Sequence, residues 1–185
     1  VSLKTGECGI CKVVCEADAI DYEQKEKEIE LNVGAIVLTP GGKVFDVNDV
    51  KEFGYGRYPN VISSIQFERI LGASGPYSGK VLRPSDKKIP KKIAFLQCVG
   101  SRDVDHNYCS SVCCMYATKQ AIIAKEHEHD IDITIFYIDL RAFSKGFEDY
   151  YKRALELGVK YVRCRPSAIK EDPNTNNLKI KYQNA

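Results

Sequence analysis

The sequence lacks the compositional features that mark several large classes of protein. Its 27 Lys and Arg residues nearly balance its 25 Asp and Glu residues, so it has no basic excess of the kind that nucleic-acid binding needs. Its apolar runs, such as GAIVL and ITIFYI, fall short of the ~18 residues that suggest a membrane span. With 44% hydrophobic and 28% charged residues, the composition is that of a soluble globular protein and excludes disorder.

Several catalytic and cofactor motifs are also missing. The sequence has no nucleophile elbow, no H-E-x-x-H and no Walker motif, so it gives no basis for hydrolase or nucleotide-phosphatase chemistry. It has no G-x-G-x-x-G either, because Gly54-Tyr55-Gly56 lacks the third glycine. No signal-peptide pattern opens the chain, which predicts a cytoplasmic location. Because the chain opens at Val1 inside a cysteine motif, we expect it to be a fragment.

The sequence does have 8 cysteines, most of them in two groups. This number is too low for a disulfide scaffold. In a reducing compartment, clustered thiols more often bind metal or do redox chemistry. Cys164 stands alone and is predicted to pack in the core. The grouped cysteines are Cys8, Cys11 and Cys15, then Cys98, Cys109, Cys113 and Cys114.

The second half of the chain alternates strand and helix patterns. Strands are predicted over 92–97, 131–139 and 159–164. Helices are predicted over 110–127, with Ser110 as N-cap, and over 147–157, closed by Gly158. This β-α-β-α-β order indicates an α/β fold with a Rossmann-like parallel sheet flanked by helices.

The remaining segments set the predicted domain organisation. GAIVLTPGG (34–42) predicts a short buried strand that runs into a turn. Ser63 and Gln66 form a capping-box pattern for a helix over 63–71, and 168–182 predicts a hairpin. The Gly-, Pro- and Lys-rich stretch 72–92 is the candidate boundary. The predicted divisions are a ferredoxin-like segment at 1–22, a segment with linker at 23–80, and a Rossmann-like domain at 81–185.

The second cysteine group lies where a strand ends and a helix starts. Cys98 ends the first predicted strand, and Cys109, Cys113 and Cys114 are predicted at the start of the next helix, at offsets i, i+4 and i+5 on neighbouring faces. Free N–H groups and the helix dipole stabilise negative charge at such a position. Four thiolates there suit an anionic [4Fe-4S] cluster. A zinc site, using four cysteines or three with His106, and four inert thiols are the alternatives.

The first cysteine group resembles a ferredoxin motif. Cys8, Cys11 and Cys15 have the spacing of the last three ligands in the bacterial run C-x2-C-x2-C-x3-C-P. Thr5 stands at the position of the first ligand, and Glu16 replaces the proline. The pattern predicts a second cluster whose fourth ligand is missing, with zinc or no metal as the alternatives.

Longer stretches of the sequence resemble a known family. KKIAFLQCVGSRDVDHNYCSSVCCMYATKQAI resembles the signature of the A-type subunit of heterodisulfide reductase, an iron–sulfur flavoprotein of anaerobes. GAIVLTPGG, YGRYPNVISSIQFERIL, GKVLRPSD and IFYIDLRAF are similar to further parts of that family. The resemblance implies a thioredoxin-reductase-like dinucleotide fold, of which this chain is the middle. It makes 23–80 a partial FAD-domain segment with linker. It also implies a non-standard [4Fe-4S] cluster near FAD, with Cys98, Cys109, Cys113 and Cys114 as ligands.

The resemblance also implies flavin-adjacent residues. Thr39 and Gly41 occupy the turn that contacts FAD in the family, although Pro40 departs from its A-T-G pattern. Lys119 lies beyond the cysteines on the same helix, where a cation would favour the reduced flavin. Glu68 is a second candidate for a residue that lies beside the flavin. Asp139 is interpreted as a strand-end polar residue, since the spacing and glycine turn of a dinucleotide site are absent.

The function implied by the resemblance is that of an oxidoreductase. Electrons would pass between FAD and iron–sulfur clusters in flavin-based electron bifurcation linked to disulfide reduction, with the fragment alone inactive. The implied partners, in an oligomeric complex, are B- and C-type heterodisulfide reductase subunits, ferredoxin, and a hydrogenase, formate or pyridine-nucleotide oxidising subunit. The alternative function is a non-catalytic subunit-interaction module stabilised by zinc or an iron–sulfur cluster.

Overall fold

The computed structural model describes residues 9–41 and 44–183. The chain divides between residues 42 and 43 into two compact units. The predicted boundaries at 22/23 and 80/81 remain predictions. Residues 72–92, the predicted linker, contribute to the second unit's core, since Val81 is 1% exposed.

The first unit has little regular structure within residues 9–41. Its helix α1 is one turn long, Ile10–Val13, and none of its residues is buried. The prediction of a buried strand at 34–42 is wrong over residues 34–41, and Gly42 lies outside the described residues. Residues 34–38 form no strand, and Ile36, Val37 and Leu38 are at least 76% exposed. Apolar, β-branched composition alone does not make a strand, because its backbone needs a hydrogen-bonded neighbour.

The second unit is built on a parallel sheet, as predicted. Among the described residues it has three strands in the order β1 (Lys92–Leu96), β2 (Asp132–Tyr137) and β3 (Lys160–Arg163). Phe95 of β1 pairs with Ile135 of β2, and Phe136 of β2 pairs with Val162 of β3. Because the strands are parallel, their carboxyl ends meet at one edge of the sheet.

Helices complete the α/β arrangement. The main helices of this unit are α2 (Ser64–Leu71), α3 (Cys113–His127) and α4 (Phe147–Glu156). Two 3-10 turns, Val47–Asp49 and Lys51–Phe53, precede α2. An antiparallel hairpin of β4 (Ala168–Glu171) and β5 (Leu178–Lys181) follows the sheet, as predicted for 168–182. No helix within the described ranges is long and apolar enough to cross a lipid bilayer.

The core lies between the sheet and its helices. Ile133 and Ile135 alternate along β2 and are fully buried, as period-2 alternation requires of one sheet face. Ala121 and Ala124 of α3 and Ala154 of α4 are also fully buried. Alanines at these positions leave room for close packing between backbones.

The start of α3 differs from the prediction, whereas α2 begins as predicted. The Ser63 hydroxyl accepts from the Gln66 N–H at 3.3 Å, and the Gln66 side chain accepts from the Ser63 N–H at 2.8 Å. Ser110, however, is not the N-cap of α3. That helix begins at Cys113, with Val112 as its N-cap. The positive φ of 65° at Ser111 turns the chain just before the helix.

Candidate metal centre

The candidate centre lies at the carboxyl edge of the parallel sheet. Cys98 follows β1 and is only 6% exposed. The N–H of Gln97 still donates to the Phe136 carbonyl at 3.0 Å, so the sheet holds the chain up to the residue before Cys98. Cys113 and Cys114 are the first two residues of α3. The predicted strand end for Cys98 and the predicted helix start for Cys113 and Cys114 are therefore confirmed. The prediction that Cys109 also lies on this helix is wrong, because the helix begins four residues after it.

The loop that joins Cys98 to α3 has an unusual backbone. Cys98, Arg102 and Ser111 all have positive φ, between 58° and 65°, a region that side chains other than glycine rarely occupy. Gly100 also has positive φ, and a Cβ there would lie 2.5 Å from the Phe45 ring. Backbone strain of this kind concentrates at functional sites. No residue pattern in this stretch of the sequence indicates that backbone conformation.

Hydrogen bonds make the two adjacent thiols at the helix start unequal. The hydrogen bond from the Cys114 thiol lowers the pKa of Cys113 to about 5, and the Ser110 hydroxyl, 3.3 Å from the Cys113 sulfur, acts in the same direction. Donating that hydrogen bond and being buried both raise the pKa of Cys114. Cys113 is thus the first thiolate of the site. Its position agrees with the predicted anion-stabilising helix start.

The remaining two thiols, those of Cys98 and Cys109, lie near Cys113. Burial raises the pKa of Cys98, and the charges of Cys113 and Cys109 raise it further, so these sulfurs lie close enough to repel one another when ionised. The Ser111 N–H donates to the Cys109 sulfur at 3.4 Å. Charges so close favour a site in which a cation compensates the thiolates.

A second loop, which follows β2, also borders the thiols. The Cys114 sulfur lies 3.7 Å from the Asp139 carbonyl oxygen. Backbone hydrogen bonding by Ile138 opposes the rise in the pKa of Cys98, and that by Arg141 opposes the rise in the pKa of Cys114. Backbone donors directed at cysteine sulfurs stabilise anionic metal centres. The sequence predicted the cysteines but not this loop's part in the site.

Asp139 is the hub of an ion-pair network beside the cysteines. One carboxylate oxygen accepts from Arg102 at 2.7 Å, and the other accepts from Arg163 at 3.1 Å. The Arg102 hydrogen bond lowers the pKa of Asp139. The interpretation of Asp139 as a strand-end polar residue is right in position. Its side chain, however, is bonded to these two arginines and holds a cation near the thiols.

The donor set fits an iron–sulfur cluster better than a single ion. Within residues 9–41 and 44–183, no three His, Cys, Asp or Glu side chains converge closely enough to hold one metal ion. A zinc ion needs its sulfurs at ~2.3 Å. His106 lies against Asp103, Phe45 and Tyr108. A four-iron cluster is wider than one ion and accepts cysteines that stand farther apart.

The first cysteine group is much more exposed. Cys11 is exposed, and Cys15 is half-buried and accepts from the Ala19 N–H at 3.4 Å. Cys8 lies outside the described residues. The predicted second cluster therefore remains a prediction.

The predicted flavin-adjacent residues lie on both units. Lys119 of α3 donates to Glu68 of α2 at 2.7 Å, and the Gln120 amide donates to the other Glu68 oxygen at 2.9 Å. The Lys119 hydrogen bond lowers the pKa of Glu68. Thr39 and Gly41 belong to the first unit, where Gly41 has a positive φ of 77°. Their predicted flavin contacts are untested.

Cys164 is not in the core, contrary to the prediction. It is half-buried just after β3 and lines a surface cavity of about 320 Å³. Arg163 and Arg165 flank it in the same cavity. The strand ends at Arg163, one residue before Cys164, so this side chain reaches the edge of the sheet instead of its interior.

Comparison with known proteins shows what the chain resembles. It is 46% identical over 179 residues to the A-type iron–sulfur subunit of the CoB–CoM heterodisulfide reductase of Methanocaldococcus jannaschii, and the match covers 95% of the chain. The chain matches part of the A-type subunit of heterodisulfide reductase. The resemblance predicted from the cysteine motif is therefore confirmed, although no family profile matches the chain.

Other relatives of the same type agree. The chain is 50% identical over 164 residues, or 88% of its length, to the A-type subunit of the ferredoxin/F420H2-dependent CoB–CoM heterodisulfide reductase of Methanosarcina acetivorans. It is 46% identical over 170 residues, or 90% of its length, to the A-type subunit of the H2/formate:CoB–CoM heterodisulfide,ferredoxin reductase of Methanococcus maripaludis. The relatives are thus oxidoreductases by name. The chain spans 21–27% of the length of these three relatives.

Proposed function

We propose that this chain carries an iron–sulfur electron-transfer site of an A-type heterodisulfide reductase subunit. Cys98, Cys109, Cys113 and Cys114 hold one [4Fe-4S] cluster at the carboxyl edge of the sheet. When bound, the cluster accepts single electrons and passes them on. The observation that supports the proposal is that Cys98 after β1, Cys113 at the start of α3 and Cys109 in the loop between them lie close enough to interact electrostatically. The half-buried guanidinium of Arg102 lies beside them. The relatives, one of them named an iron–sulfur subunit, contain matching sequence.

The chain's own residues prepare the site for negative charge. Cys113 ionises first because it accepts hydrogen bonds at the helix start. The positive φ at Cys98 sets the direction in which its side chain leaves β1. Burial of Cys98 and Cys114 keeps water away from half of the ligand set. A water-poor site strengthens the attraction between thiolates and iron.

FAD is the second cofactor that we propose, held by the full-length protein in a thioredoxin-reductase-like fold. Thr39, Gly41 and Lys119 contact it, with Glu68 beside Lys119. The Lys119–Glu68 pair supports this role, since both side chains are more than 40% exposed and can face a bound group. Because Glu68 balances the charge of Lys119, the two residues act on the flavin as a pair. A Lys119→Ala variant leaves the Glu68 carboxylate uncompensated and makes the flavin harder to reduce.

The remaining parts of the proposal concern the whole complex. Cys8, Cys11 and Cys15 hold a second cluster with a fourth ligand from outside this chain. The cytoplasmic complex contains B- and C-type subunits and couples bifurcation at FAD to disulfide reduction. Ferredoxin and a subunit that oxidises hydrogen, formate or a pyridine nucleotide exchange electrons with it. The names of the relatives, which include ferredoxin, hydrogen and formate, support these partner classes.

Spectroscopy of the reconstituted chain tests the central assignment. The chain is loaded anaerobically with iron and sulfide, reduced, and examined by electron paramagnetic resonance. We expect the signal of a reduced [4Fe-4S] cluster, which Cys114→Ser removes or converts. Cys164→Ser is the matched control, because Cys164 lies at the same sheet edge but outside the proposed ligand set.

Two results contradict the assignment. One is an equal signal in the Cys114→Ser and Cys164→Ser variants. The other is a colourless protein that retains stoichiometric zinc and no iron, which identifies a metal-stabilised interaction module instead.

A further inference from the structure

The guanidinium of Arg102 is fixed in place beside the thiols. Its Nη2 donates to Asp139 at 2.7 Å, and its side chain is only 22% exposed. The backbone of Arg102 is held as well, because its N–H donates to the Tyr108 carbonyl at 3.1 Å and its carbonyl accepts from Arg165 at 3.3 Å. An arginine restrained at both its backbone and its side-chain end presents its remaining donors in one direction.

One of those donors has no hydrogen-bond partner. The Nη1 group of Arg102 is buried and meets no acceptor within the described residues. Buried polar groups are normally paired, and a charged donor without an acceptor is costly. Asp139 does not satisfy it, since its oxygens accept from Arg102 Nη2 and from Arg163 but not from Nη1.

The groups that face Arg102 identify the missing acceptor. Besides Asp139, Cys98 and Cys109 lie near enough for their thiolates, when ionised, to attract its guanidinium. Arg163 also bonds to Asp139, but its side chain is 71% exposed and its Nε donates to the Ile138 carbonyl at 3.0 Å. Of the two arginines on Asp139, only Arg102 therefore combines burial, a free N–H and nearness to two proposed ligands.

We propose that Arg102 donates its free Nη1–H to the sulfur-bound metal centre and sets its reduction potential. This inference rests on the proposed function. Asp139 acts as a positioning residue that aims the guanidinium. A positive donor stabilises the more negative, reduced state of a cluster, and hydrogen bonds to sulfur are a main determinant of cluster potentials.

The test uses the reconstituted chain and two matched variants. Arg102→Gln removes the half-buried charge, whereas Arg163→Gln removes the exposed arginine that shares the same carboxylate. We expect Arg102→Gln to shift the redox equilibrium of the cluster at least tenfold toward the oxidised form, or ~59 mV for a one-electron couple. We expect less than a threefold shift for Arg163→Gln.

A second readout detects the hydrogen bond itself. Exchange into D2O shifts the iron–sulfur stretching bands in resonance Raman spectra when N–H groups donate to the centre. This shift shrinks in Arg102→Gln and persists in Arg163→Gln. If Arg102→Gln does not fold, Arg102→Lys is used instead, because it retains the charge but loses the planar guanidinium. It should reduce the deuterium shift and leave the redox equilibrium constant of the cluster within threefold of the wild-type value.

The outcomes separate the two proposals. If the wild-type chain takes up no iron and sulfide, the proposed function fails. If it takes them up and both glutamine variants shift the potential equally, or neither does, Arg102 is only structural and the inference is overturned. An unchanged deuterium shift in both Arg102 variants likewise overturns it.

Discussion

Residues 9–41 and residues 44–183 contain similar apolar runs, but the two regions bury these runs to very different extents. Each region has an apolar, β-branched run, GAIVL in the first and DITIFY in the second. In the second, Ile133 and Ile135 are fully buried by two flanking strands and by helices. In the first, Val37 and Leu38 are 83% exposed. The difference shows that burial depends on neighbouring strands more than on the composition of the run.

The two cysteine groups show the same contrast. Cys98 and Cys114 are at most 6% exposed at a junction of strand, helix and loop, whereas Cys11 is exposed on a one-turn helix. A metal ligand set is effective when the surrounding fold holds it in place. We therefore expect the second group to bind its metal centre more firmly than the first.

Alanine substitutions in the two apolar runs should differ the most in their effect on the free energy of unfolding. Ile135→Ala removes a fully buried side chain from β2 and should lower the free energy of unfolding by about 2–5 kcal/mol. Val37→Ala, at an exposed position, should change it by less than ~0.5 kcal/mol. Urea unfolding followed by circular dichroism measures both. A large loss for Val37→Ala would show that residues 34–38 are packed in solution.

Two glycines with similar backbone angles, one in each region, should differ in the stability that is lost when they are replaced by alanine. Gly100 has φ +70° and faces the Phe45 ring, whereas Gly41 has φ +77° and no atom within 4 Å of the point where a Cβ would lie. Gly100→Ala therefore adds a clash to the conformational strain and should cost about 2–4 kcal/mol. Gly41→Ala adds only the conformational strain and should cost about 1–2 kcal/mol. Equal thermal shifts in the two variants would mean that the cysteine loop does not pack against Phe45.

The Lys119–Glu68 pair should give a small, pH-dependent effect. Because its hydrogen bond to Lys119 lowers the pKa of Glu68, the ionised carboxylate stabilises the fold above its unfolded pKa, and this contribution is lost as the pH falls through the folded value. Both side chains are more than 40% exposed, so Glu68→Gln should cost only a few tenths of a kcal/mol at pH 7. The difference should shrink as the pH falls below the ordinary carboxyl pKa of ~4.3, and it should vanish only below the lowered pKa of the folded state.

Thermal unfolding between pH 3 and 7 measures this difference, with Glu28→Gln as the control. Glu28 is an exposed carboxylate of the first region, so its replacement should leave the pH profile unchanged. A Glu68→Gln profile parallel to that of wild type over the whole range would argue against the ion pair.

Local signals predicted most of the second region. The β-α-β-α-β order, the capping box at Ser63 and the helix end at Gly158 each follow from short stretches of sequence. The start of α3 was misplaced because the positive φ at Ser111 has no sequence signature in a serine pair. The strand at 34–42 was wrong because pairing is a non-local property.

The candidate site was predicted in part. The spacing of Cys98, Cys109, Cys113 and Cys114 indicated a thiolate site at the junction of a strand and a helix. The spacing could not show that Asp139 would orient Arg102, because those residues lie 37 positions apart and meet only through the parallel pairing of β1 with β2. Cys164 was misplaced for a related reason, since the end of β3 determines whether it lies in the core or at the edge.

The most direct test compares the two cysteine groups by their iron and acid-labile sulfide content after anaerobic reconstitution. One variant replaces Cys8, Cys11 and Cys15 with Ser, and the other replaces Cys98, Cys109, Cys113 and Cys114. We predict that the first variant retains about four irons and four sulfides per chain, as one [4Fe-4S] cluster requires, and that the second retains almost none. Equal iron and sulfide in the two variants, or more in the second, would contradict the assignment of the metal centre.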